Sequence, residues 1–189
     1  MPDLVARTIQ RLRDGGVRLD PGLSDKEMSR VEERFGFTFG PEHREFLQSA
    51  LPVGKSWPDW RNGAEDGLRG RLNWPIDGVV FDVCHNDFWP ASWGDRPDGK
   101  EEREGEARMR LARVPRLVPV FSHRYLTADP HFAPSPVFSV HQADVVLFGD
   151  DLLDYVAREF RVSPLHPSPD RTYVPFWSDL AQGAENRDL

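Results

Sequence analysis

An α+β fold is what this chain of 189 residues predicts, and three observations carry it. Helical periodicity fills the N-terminal quarter. Short apolar runs bounded by Pro, Gly or Asp occupy the later part of the chain. One further amphipathic helix follows the last of these runs. The expected architecture is N-terminal helices packed on a mostly antiparallel or mixed β-sheet, with a further C-terminal helix covering that sheet.

The elements follow in order. Leu4, Val5, Ile9 and Leu12 share one face of a first helix, which Gly15 and Gly16 end. Ser24 caps a second helix, Glu27 three residues on completes a capping box, and Leu23 with Met28 forms a hydrophobic staple across it. Met28, Val31 and Phe35 recur at helical spacing, and Gly36 supplies the left-handed stop. Pro41 suits the first turn of a third helix, where no backbone N–H is needed, and Phe46, Leu47 and Leu51 carry its buried face to a stop at Pro52. From Leu51 to Pro75 the chain is rich in Trp, Gly, Pro and charge and reads as a long connection, with a short helix near Glu65 to Leu72.

Val79 to Val83 reads as the first strand, and Leu117 to Phe121, Val137 to Val140 and Val145 to Phe148 as later ones. Lys100 to Ala112, between them, is charged and helix-prone. The turn at Gln142 to Asp144 is short enough to make the last two strands an antiparallel hairpin. Asp150 is expected to cap the C-terminal helix, with Leu152, Leu153, Val156 and Phe160 on its buried side. A proline-rich connection over 162–172, a docking piece at 174 to 180 and a polar tail over 181–189 complete the chain, which reads as one domain over 1–189.

Composition narrows the function classes. With 39% hydrophobic and 29% charged residues the chain is globular, and no apolar run approaches the length of about 20 residues that spans a bilayer. The N-terminus lacks the uninterrupted apolar core of a signal peptide, so the expected location is cytoplasmic. Cys84 is the only cysteine, which allows no internal disulfide and no cysteine-based zinc cage. Six Trp and twelve Phe would suit base stacking, but single-stranded nucleic-acid binding needs a cationic track beside the aromatic platform, and the formal charge here is −7. No nucleic-acid partner is expected.

The stretch from Glu27 to Leu47 has the pattern E-x-x-x-V-E-x-x-F-G-F-x-F-x-P-x-x-x-x-F-L. In order and spacing it resembles the opening of the SUKH superfamily, which includes the Smi/Knr proteins. GVVFDV at 78 to 83, PRLVPV at 115 to 120, PVFSV at 136 to 140 and DDLLDYVAREF at 150 to 160 are similar to that family's later strands and following helix. The resemblance covers residues 22 to 160. Gly40 stands where the family usually has a proline, and His43 where it often has an aromatic residue. The resemblance implies a non-enzymatic, intracellular protein-binding domain without cofactor, often an immunity protein that neutralises a bacterial toxin, or else a regulatory adaptor of the Smi/Knr kind.

The charge distribution offers a surface for such a partner. Between Asp77 and Glu106 nine acidic residues face three basic ones, so almost all of the net charge lies there. Asp77, Asp87, Asp95, Asp98 and Glu102 could attract a basic toxin domain such as a nuclease, while Trp89 and Trp93 anchor it. Asp144, Asp150, Asp151 and Asp154 form a second acidic stretch. An enzymatic alternative rests on His85, His123 and His141, each near the end of an expected strand: with Asp87 or Asp144 they could hold zinc in a small hydrolase. Their spacing argues against it, since no H-E-x-x-H or H-x-H occurs. Ser122 before His123 and Ser139 before His141 lack a nucleophile elbow, and no glycine-rich phosphate motif is present.

Overall fold

The computed structural model describes residues 2–162 and 171–183. Its elements run α1 (Pro2–Asp14), β1 (Leu19–Pro21), α2 (Asp25–Phe35), α3 (Pro41–Ser49), β2 (Ala50–Pro52), α4 (Glu65–His85), α5 (Lys100–Leu111), β3 (Leu117–Phe121), β4 (Arg124–Thr127), β5 (Val137–His141), β6 (Asp144–Gly149), α6 (Leu152–Glu159) and α7 (Trp177–Ala181). Short 3₁₀ turns cover Ala91–Trp93 and Pro130–Phe132. Strands β1 and β2 pair antiparallel, and β3-β4-β5-β6 form an antiparallel meander. The fold is α+β.

The N-terminal helices form where their signals lie. Ser24 accepts the Glu27 N–H and the Glu27 carboxylate accepts the Ser24 N–H, closing the capping box, while Gly36 ends α2 at φ 66°. Arg61 also reaches that carboxylate, at 2.6 Å, and the pair with the two Ser24 bonds pulls the Glu27 pKa down to about 2. Helix α3 starts at Pro41 as expected but stops at Ser49, so Leu51 is buried in β2 and not on a helix face.

Helices pack against both faces of the meander. Val118, Val120, Leu126 and Val137 point to the side packed by α1, α2, α3 and α6. Leu117, Tyr125, Phe138, Val140 and Val145 point to the side packed by α4, α5 and α7. Helices thus pack on each face of one central sheet, and β3 reads as a nearly unbroken apolar run because neither of its sides meets water, whereas the outer strand β6 leaves Val146 exposed.

Three expectations are corrected. Residues 79–83 are the last part of the 21-residue helix α4, not a strand. The stripe Leu68, Leu72, Pro75, Val79 and Val83 is buried at helical spacing. Pro75 lies inside this helix and removes the N–H that would bond the Arg71 carbonyl, but the buried Tyr125 hydroxyl donates to that oxygen at 3.0 Å. Second, β4 was not expected. Third, the cap of α6 is Asp151, whose carboxylate accepts the Asp154 N–H at 2.7 Å, rather than Asp150. Of the proline-rich connection, residues 163–170 lie outside the described residues, as does the tail from 184. The piece at 174 to 180 does dock: Trp177 is fully buried and its indole N–H donates to the Pro115 carbonyl at 2.7 Å.

Two predictions follow from the helical layer. Phe46 is 1% exposed in the core beneath α1 and α6. Phe46→Ala should cost about 3–5 kcal/mol, a large share of a total stability of about 5–15 kcal/mol, and a melting curve within a degree or so of the parent would contradict this. His43, 1% exposed, has an Nδ1 without a hydrogen-bond partner among the described residues, and burial pushes its pKa down from 6.5 to about 3. The folded chain therefore refuses a proton that the unfolded chain accepts, so stability is lost as pH falls from 6.5 toward 3. Between about pH 7 and about pH 5 the parent's melting temperature should fall further than that of His43→Leu. Parallel curves would show that His43 is not held neutral by burial.

Candidate functional site

The C-terminal half of α4 and the β5–β6 turn build one surface together. Gly78 permits their approach: a Cβ there would stand 2.8 Å from Gln142 Cα, so any larger residue would push the turn away. One turn further along, Asp82 is 7% exposed, and its Oδ2 accepts the Ala143 N–H at 2.8 Å while Oδ1 accepts from the Asn86 side chain. The Asp82 carbonyl also accepts the Asn86 and Phe88 N–H groups, and Asp87 adopts φ 56°, which turns the chain out of the helix.

The result is a groove of about 780 Å³ walled by residues 82–91, the β5–β6 hairpin and the end of α7. Asp82, Asp87 and Asp144 line it beside Phe88, Trp89 and Val146. Asp87 and Asp144, far apart in sequence, are both exposed there. Trp89 is half-buried, its N–H held by the Gly94 carbonyl at 2.8 Å and its ring set edge-on to Trp93 at 5.2 Å. Val146 remains 49% exposed. Acidic groups thus rim a fixed apolar floor, an arrangement suited to a basic partner with an apolar anchor.

The other acidic candidates separate. Asp95, Asp98 and Glu102 are exposed and make no ion pair among the described residues. Asp77 lies elsewhere, bound to Arg108 at 3.0 Å. Arg108 also pairs with Glu104, Arg110 with Glu106 and Arg96 with Asp87, so much of the negative run is neutralised by arginines on its own helix or just beyond. Trp93 is 8% exposed and stacks on Phe176 at 6.2 Å, which puts it in the core rather than at a partner surface. Asp150 and Asp154 are also buried: they bind Arg171 and Arg158, and Asp154 accepts the Asp150 N–H. Asp151 serves as the cap of α6. These three hold the start of α6 in place.

The histidines do not converge. His85 stacks on Phe81 at 4.4 Å and meets Lys100 at 3.1 Å, at the end of α4, whereas His123 and His141 line a different concavity at the other end of the hairpin turns. No group of three or more His, Cys, Asp or Glu able to hold a metal occurs among the described residues. Ser122 Oγ lies 3.1 Å from His123 Nδ1, and Ser139 Oγ accepts from Arg124 at 2.9 Å. His123 itself has its pKa lowered, first by burial and then by Arg124.

Val146 was missed from sequence, although its signal was present: within DVVLFG the alternation of the strand turns Val145 inward and Val146 outward, leaving an apolar side chain in a solvent position. Phe88 carried no such signal, because it lies on irregular backbone. Comparison with protein-family models, with curated proteins and with solved structures finds no match to this chain.

Proposed function

We propose that this chain is a non-enzymatic protein-binding domain that holds a basic partner on the acidic groove beside α4, in the manner of an immunity protein that neutralises a toxin. The observation that carries the reading is the meeting of Asp87, Trp89, Asp144 and Val146, from two distant parts of the chain, around one groove. Charge at the rim accelerates encounter, and the aromatic and aliphatic floor supplies the desolvated contact that slows release. The likeness of residues 27–47 to the opening of SUKH proteins supports the same reading, and it favours an intracellular setting. A nuclease with a cationic substrate cleft is the chemistry such a groove fits best. No helix among the described residues is long and apolar enough to cross a membrane.

The test is capture of a partner followed by surface-immobilised binding kinetics. Reversing Asp87 and Asp144, or Asp95, Asp98 and Glu102, to Lys should mainly slow association. The parent's association should itself slow as the Debye length falls from about 30 Å at 0.01 M salt to about 8 Å at 0.15 M. Trp89→Ala should cost at least about 2 kcal/mol through faster dissociation. Trp93→Ala, a core truncation, should instead lower the melting temperature. Variants at Asp87, Trp89 and Asp144 that remain folded and bind like the parent would move the interface elsewhere.

A further inference from the structure

Across the Gln142–Gly78 contact from the acidic groove lies a second concavity, of about 540 Å³. The first half of α4, the loop at Lys55 and Ser56 and the two hairpin turns of the meander enclose it. Its lining inverts the charge of the chain. Lys55, Arg71, His123 and His141 face it without a carboxylate, in a protein of net charge −7. Four other clefts among the described residues each include at least one aspartate.

The groups here are set by the fold rather than by one another. Arg71 donates to the carbonyls of Lys55 and Ser56, each at 3.3 Å, and of Ser122 at 3.5 Å. Neutral acceptors orient the guanidinium, which pairs with no carboxylate among the described residues and has N–H groups to spare. Lys55 is exposed and has no carboxylate partner among the described residues. Ser122 Oγ meets His123 Nδ1, which fixes that ring and turns Nε2 to other use. Beside Lys55 and Arg71, Trp74 is 47% exposed, while its indole N–H is held by the Val140 carbonyl at 3.3 Å. A large aromatic ring is therefore oriented and still accessible. Gly67 and Gly70 precede it on the same face of α4, and a Cβ at either would meet nothing within 4 Å, so the helix surface next to the ring is bare.

We propose that this concavity binds a small organic anion carrying a flat ring, with its phosphate or carboxylate held by Lys55, Arg71 and His123 and its ring resting on Trp74. Preoriented donors without a competing carboxylate recognise the charge, and the exposed indole supplies a stacking face that tolerates many rings. The site is half-open, so affinity is modest and depends on both parts of the ligand.

Titration of the full chain, followed by the Trp74 indole N–H and the histidine ring signals in NMR spectra, tests this. The probes are adenosine 5′-monophosphate, adenosine, inorganic phosphate and benzoate. At least one ring-bearing anion should saturate at millimolar concentration or below, at least about tenfold tighter than adenosine or phosphate. Saturation by the nucleotide marks a phosphate ligand, and by benzoate a carboxylate ligand. Lys55→Glu should weaken that binding at least about tenfold, Trp74→Ala should reduce it to the level of phosphate, and Glu33→Gln, an exposed position on α2 outside the concavity, should leave it unchanged. Melting curves establish that each variant is folded. Failure of both ring-bearing anions to saturate, adenosine binding as well as its monophosphate, or parental binding by Lys55→Glu would overturn the assignment.

Discussion

Helix α4 runs through a proline, and the hydrogen bond that makes this possible organises the surface of the molecule. Pro75 cannot donate to the Arg71 carbonyl, and an unpaired carbonyl in this buried layer would cost about 1–3 kcal/mol. The Tyr125 hydroxyl, reaching across from β4, donates to that oxygen at 3.0 Å. Tyr125 is 1% exposed, and burial raises its pKa, so the hydroxyl keeps its proton. One bond therefore completes the helix and fixes it to the sheet. The Arg71 side chain in turn fastens the loop at Lys55 and Ser56 to the β3–β4 turn. One turn along, Gly78 lets the β5–β6 turn settle on the helix, and Asp82 takes the Ala143 N–H. The cationic concavity and the acidic groove are the two ends of this single contact.

The packing of helices on both faces of the meander explains which elements the sequence disclosed. The N-terminal helices are amphipathic and capped, and each local signal agrees with its packing; Ser24, Glu27, Phe35 and Gly36 do in the structure what their spacing implies. Strands β3, β5 and β6 were legible as apolar runs between turn residues. Helix α4 was not, because Gly67, Gly70, Pro75 and Gly78 are all helix breakers when read singly, and Val79 to Val83 alone looks like a strand. What overrides them is tertiary: a hydroxyl from another element for the proline, and a neighbouring turn that needs the space at Gly78. Strand β4 escaped notice for a related reason. Arg124–Thr127 is four residues long, and its neighbours on both sides are supplied by the rest of the sheet.

The candidate site was legible in part. Asp87, Trp89 and Asp144 were marked by charge and aromaticity, and the fold brings them to one groove. Asp150, Asp154 and Trp93 carried the same signals but serve the core, because acidity does not distinguish a buried carboxylate held by arginine from one left for a partner. Val146 and Phe88 entered only with the geometry. Lys55, Arg71 and Trp74 fell in a stretch taken for a connection, so their convergence with His123 and His141 could not be read without α4 in place.

The dependence of this surface on the Tyr125 bond is open to one direct measurement, a double-mutant stability cycle on Tyr125→Phe and Pro75→Ala. Replacing the proline restores an N–H at position 75 that can bond the Arg71 carbonyl from within the helix. The expected result is that Tyr125→Phe costs at least about 1 kcal/mol less in the Pro75→Ala background than in the parent, the sign of coupling that a shared acceptor produces. Strictly additive losses would mean that the hydroxyl does not serve the carbonyl left open by Pro75, and the anchoring of α4 would have to lie elsewhere.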